Sequence, residues 1–131
     1  MQRIPSLLAI VCMMSIVFSA HYKTDSPLTK LMRTMAADMK KARVEIIAGK
    51  KINNFGKQYS KINTAKPSSD SKKGEQYSEF ATSFLVQLER FKNAPSESAK
   101  LEYNALAKTC VRCHETYCPG PITMLRKLQI P

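Results

Sequence analysis

Residues 101–121 read LEYNALAKTCVRCHETYCPGP. Tyr103, Leu106, Cys110, Cys113 and Tyr117 recur at alternating steps of three and four, the spacing of one face of an α-helix. Pro119-Gly120-Pro121 cannot continue that helix and ends it. The stripe is apolar except for its two thiols, and His114 lies beside it, one residue past Cys113. A helix of this kind buries its stripe against other elements, so the fold depends on what the rest of the chain offers as cover.

The rest of the chain offers more helices and no strand pattern. Ser26-Pro27 is a helix start, with Ser as N-cap and Pro at the first helical position. From there Leu28, Met32, Met35, Met39, Ala42 and Ile46 form one apolar stripe on a helix ending at Gly49. A second, weaker segment carries Ile52, Phe55, Tyr59 and Ile62 on one face, with Asn53, Asn54 and Gly56 lowering its propensity. After the polar linker KPSSDSKKG (66–74), Tyr77, Phe80, Phe84, Leu88 and Phe91 make the strongest aromatic stripe. NAPSES (93–98) breaks it before the last helix. Four amphipathic helices with short connections predict an all-α fold, an antiparallel four-helix bundle. In such a bundle Cys110 and Cys113 point inward.

The first residues have another purpose. Arg3 precedes the apolar run IPSLLAIVCMMSIVFSA, followed by polar HYKTDSP, the layout of a cleavable secretory signal over residues 1–20. The run holds 17 residues, at the short edge of what spans a bilayer. The expectation is therefore no membrane span after cleavage and a periplasmic protein comprising residues 21–131, a bundle with a tail over 119–131. Cys12 leaves with the signal, so an odd set of thiols remains: Cys110, Cys113 and Cys118. Three is not a complete disulfide framework. Cleavage also removes Arg3 and no acid, so the net charge of +11 becomes +10. The lysines are spread over several segments and no base-reading motif appears, so nucleic acid is not the expected partner. The charge favours acidic partners instead.

What can C-x-x-C-H do in this setting? A redox dithiol works at a helix N-terminus, where the dipole lowers a thiol pKa. Here the pair lies toward the C-terminal end. Structural zinc would take Cys110, Cys113, Cys118 and a histidine. However, neighbours on a helix diverge by about 100°, and His21 is the only other histidine. Zinc stays open as an alternative. The third reading is covalent haem, which C-x-x-C-H signals directly. Two thiols one turn apart bond the two vinyl groups of a porphyrin edge, and the next residue places its imidazole under the iron. Export fits, because c-type haem is attached outside the cytoplasm. One haem c, held by Cys110 and Cys113 with His114 as proximal iron ligand, is the expectation.

The position of the motif, late in a helical chain, resembles the class II cytochromes c: cytochrome c′ and its low-spin, methionine-ligated relatives. The resemblance covers about residues 26–118 and is carried by CVRCHETY (110–117) and LMRTMAADMKKA (31–42). It implies a left-handed bundle with haem between helices and either electron transfer or gas binding. The first helix offers Met32, Met35 and Met39, and methionine is a soft axial ligand that raises haem potential. In the low-spin relatives the ligand lies near the start of the first helix, in a pattern similar to KLMR (30–33). That makes Met32 the expected distal iron ligand and Met35 the runner-up. Methionines are also common core filler. If all three are filler, the iron is five-coordinate and the protein binds NO or CO. One departure weakens that second reading: cytochrome c′ commonly carries a basic residue where this chain has Cys118. Cys118 is expected to be an inert thiol or to pair across a homodimer.

Phe80, Phe84, Tyr103 and Leu106 are the expected haem walls, and Ile122, Leu125 and Leu128 of the tail should pack back as a short helix over the haem edge. There is no Ser-His-acid set and no Gly-rich phosphate loop. The sequence thus describes a one-electron carrier, not an enzyme, with an acidic redox-partner protein.

Overall fold

The computed structural model describes residues 25–68 and 73–131. The expected signal over residues 1–20, Cys12 and His21 lie outside the described residues. Those that are described form an all-helical structure compatible with a helical bundle. In chain order the elements are α1 (Pro27–Ile47), a 3-10 helix (Tyr59–Asn63), α2 (Glu75–Lys92), α3 (Ala99–Tyr117) and α4 (Ile122–Arg126). No helix among the described residues is long and apolar enough to cross a membrane.

α1 begins as expected. Ser26 has an extended backbone and its hydroxyl accepts from the Thr29 amide at 3.1 Å, with Pro27 in the first turn. It ends in a Schellman motif: Lys50 N donates to Glu45 O, Gly49 N donates to Ile46 O, and Gly49 sits at φ +65°. Leu31, Met35, Met39 and Ala42 are its buried residues. Leu31 is an addition to the expected stripe, whereas Met32 and Leu28 are only half-buried.

The second expected helix is not formed. Asn54 takes φ +58° and Gly56 φ +77°, left-handed values that an α-helix cannot contain. The chain there passes through turns into the five-residue 3-10 helix. A Cβ on Gly56 would stand 3.0 Å from Leu88 Cδ1, so the segment lies closer to α2 than an ordinary residue would permit. It still buries the expected side chains Tyr59 and Ile62. The Tyr59 hydroxyl donates to Asp38 Oδ2 of α1 at 2.8 Å, which ties this crossing to the first helix. The fourth α-helix comes instead from the tail, as the short turn expected near Ile122–Leu128, with Leu125, Leu128 and Ile130 buried.

α2 and α3 form an antiparallel pair. Tyr77 and Phe80 at the start of α2 meet Tyr117 at the end of α3, edge to face at 5.6 and 6.1 Å between centroids. At the other end Phe91 meets Tyr103 at 5.7 Å. α1 joins this pair through Tyr103, whose hydroxyl shares its proton between the carbonyls of Met39 (2.9 Å) and Leu128 (3.0 Å). That single group, fully buried, binds α1, α3 and the tail together. The tail is further held by Asn104, which donates to the Ile130 carbonyl and accepts from the Ile130 amide, both at 2.8 Å.

Candidate functional site

The core leaves a cavity of about 490 Å³ beside the end of α3, within the range of small-molecule and cofactor sites. Cys110, Cys113 and His114 line one wall, and Met32, Met35 and Met39 of α1 line another. Every expected site residue therefore faces the same space. Phe80 and Phe84 also line it, as expected, together with Tyr77. Two expected walls do not. Tyr103 and Leu106 are fully buried in the core beneath the cavity and do not line it. Stripe membership alone could not separate the part of the stripe facing a cavity from the part facing other helices.

The register of α1 on α3 can be counted from the Tyr103–Met39 hydrogen bond. Seven residues on from Tyr103 is Cys110, and seven back from Met39 is Met32. In an antiparallel pair both lie about 10 Å from the anchor, so the count puts Met32 nearer the level of Cys110 than Met35. Met35 is level with the turn before it, around Leu106 and Ala107, deeper in the core.

α3 positions the motif because its buried residues Tyr103, Leu106, Ala107 and Val111 fix the rotation of the helix. Cys110 Sγ donates to the Leu106 carbonyl one turn back, at 3.5 Å. Burial, and then the neighbouring Cys113 thiol, push the Cys110 pKa up to about 12. Burial, with Cys118 second, raises Cys113 as well. A redox dithiol requires a lowered thiol pKa, so this wall is the opposite of one.

His114 is oriented by the end of its own helix. Cys118 leaves helical geometry at φ −155°, and its carbonyl turns back to 2.9 Å from His114 Nδ1. A carbonyl oxygen only accepts, so Nδ1 is the donor, and in the neutral ring the lone pair is on Nε2. This is the arrangement in which a histidine ligates a metal through Nε2, with its other nitrogen fixed by a backbone carbonyl. Zinc fares worse. Among the described residues no group of three or more His, Cys, Asp or Glu is placed to hold a metal ion, and Cys118 is exposed at the rim.

The charged side chains lining the cavity are Arg33 and Lys73, both cations. Arg33 pairs with Asp25, and its side chain is largely exposed. Lys73 donates to the carbonyls of Ile62 and Asn63, each at 3.3 Å, and of Ala65, and lies 4.8 Å from the centre of the Tyr77 ring. Its pKa is lowered by burial. Neither cation, nor the lining residues Ile62, Pro121 and Met124, was singled out in the sequence as part of the site. Lys73 sits in a polar linker, and Met124 lies beyond the Pro-Gly-Pro break. The lining is mostly apolar, with two cations and no acid among the described residues.

Compared with known proteins, the chain matches no family model, no curated protein and no solved structure.

Proposed function

We propose that this chain is an exported mono-haem c-type cytochrome, a one-electron carrier with a cytochrome c′-like bundle in which the second helix is reduced to turns and a 3-10 helix. The observation that carries the reading is the cavity itself. Both thiols of a C-x-x-C-H motif and its imidazole line one wall, and three methionines of α1 stand on another. Cys110 and Cys113 would hold haem by thioethers, His114 Nε2 would be the proximal ligand, and Met32 the distal one. Haem bound there supplies a one-electron iron couple.

The chain's own residues account for the rest. The Cys118 carbonyl holds the His114 ring in one tautomer. Tyr77, Phe80, Phe84 and Tyr117 wall off water, which favours a raised potential. Arg33 and Lys73 line the cavity and would be the cations available to haem carboxylates. Export is supported by residues 1–20, whose pattern sends the chain to the compartment where covalent haem is added.

The test is intact mass after co-expression with haem-attachment machinery in a bacterial periplasm. The expected product is the chain plus one haem, stable to denaturation. A Cys110→Ser, Cys113→Ser double variant should lose that mass. A wild-type chain exported at its bare mass overturns the reading.

A further inference from the structure

A second concavity lies on the outside of the same wall. It is a groove of about 340 Å³ between α1 and the tail, lined by Lys40, Arg43, Val44, Met124, Lys127 and Leu128. Three of the six are cations and none is an acid. Val44 is 64 % exposed, and Ile47, on the same face of α1, is 58 % exposed. Lys40, Val44 and Ile47 stand at positions i, i+4 and i+7 of one helix face, so the apolar pair continues a stripe that starts with a cation. Arg43 Nε donates to the Gln129 carbonyl at 3.4 Å, which keeps the guanidinium against the tail. Met124 and Leu128 line both this groove and the larger cavity. The two spaces are therefore separated by the thickness of those side chains.

We infer that this groove is the docking site for the acidic face of a redox-partner protein. The inference rests on the haem reading, since Met124 and Leu128 matter as a thin partition only when haem lies behind them. Charge selects the occupant. Exposed Val44 beside three cations, with Ile47 further along the same helix face, fits a projecting apolar side chain flanked by carboxylates, with Arg43 suited to bidentate pairing. A second copy of this chain would set the same cations against each other across a two-fold contact. A flat anionic membrane would leave the concave centre unfilled. Docking makes and breaks no covalent bond. It brings an acidic partner to a basic face that shares Met124 and Leu128 with the cavity.

The test uses the full mature holoprotein, reduced and nitrogen-15 labelled, titrated at low salt with a short synthetic peptide of glutamates around one leucine. The amides of Lys40, Val44 and Lys127 should shift most. A K40E/K127E variant should weaken binding about tenfold. K57E/K61E, with the same change of charge on the 3-10 side, should stay within about twofold. Shifts centred on Lys57 and Lys61, or equal losses from both variants, overturn the groove. So does equal loss of binding to anionic phospholipid vesicles in K40E/K127E, which would make the face a membrane contact. A missing Soret band, seen before any peptide is added, counts against haem alone. The amide shifts still decide whether the groove binds acid.

Discussion

His114 shows how much a single backbone carbonyl decides. Because Cys118 O accepts from Nδ1 at 2.9 Å, the acceptor is main chain and the Cys118 thiol is not needed. Cys118→Ser should therefore leave the absorption spectrum of the haem protein unchanged, and a shift in its band positions would show that the thiol takes part. His114→Ala should lose proximal ligation while thioether attachment survives, so haem mass persists with a disturbed spectrum. On another wall, the count from the Tyr103–Met39 hydrogen bond favours Met32 over Met35 as the proposed distal ligand. Met32→Ala should convert low-spin iron to high-spin, and Met35→Ala, deeper in the core, should keep the low-spin spectrum at a cost in stability of about 2–5 kcal/mol. The reverse pattern transfers the role to Met35. Residue types and spacing sufficed to name Cys110, Cys113 and His114, while Met32 came from the resemblance of KLMR to the low-spin relatives; all four line the same cavity. The acceptor for His114 could not be named from sequence, because it depends on how the chain turns at Cys118.

At the level of elements, the long helices were legible because their stripes repeat over four or more turns, and the caps at Ser26 and Gly49 are local chemistry. The second segment was not, because its fate turns on two left-handed residues and one close approach. Gly56→Ala should cost about 1–2 kcal/mol from φ +77° alone, with more from the contact 3.0 Å away at Leu88. Gly49→Ala has open space around it and should cost only the conformational part; chemical denaturation of the two variants checks the order. Tyr77 contributes to the alkaline pH dependence together with Tyr59 and Tyr103, whose pKa values burial also raises. The Tyr77 hydroxyl donates to the Ile62 carbonyl at 2.9 Å, and burial, with Cys113 second, raises its pKa from 10.0 to about 12. Below pH 10 both folded and unfolded chains keep the proton, so its stabilisation is complete. Between about 10 and 12 the unfolded chain loses the proton first, and stability falls as pH rises. Tyr77→Phe should lose about 1 kcal/mol at neutral pH and flatten that alkaline fall. An unchanged slope would show that another group carries it.

On the scale of the whole molecule, three long helices, a 3-10 crossing and a folded-back tail enclose one cavity, and Tyr103 fastens α1, α3 and the tail beside it. The aromatic contacts of α2 with α3 close its other side. The tail's role was half legible: the apolar spacing of Leu125 and Leu128 foretold the packing, but not that Met124 and Leu128 would partition the cavity from a basic groove. Electron exchange with an acidic partner should slow as salt shortens the Debye length from about 30 to about 8 Å, and a salt-independent rate would contradict the basic docking face. Six-coordinate haem in the cavity, as proposed, would be read first in an absorption spectrum of the exported protein, oxidised and then reduced with dithionite. Sharp α and β bands on reduction with a weak far-red band in the oxidised form are the predicted result. Broad high-spin bands would contradict methionine ligation and make the protein a gas binder, and the absence of a Soret band would contradict haem itself.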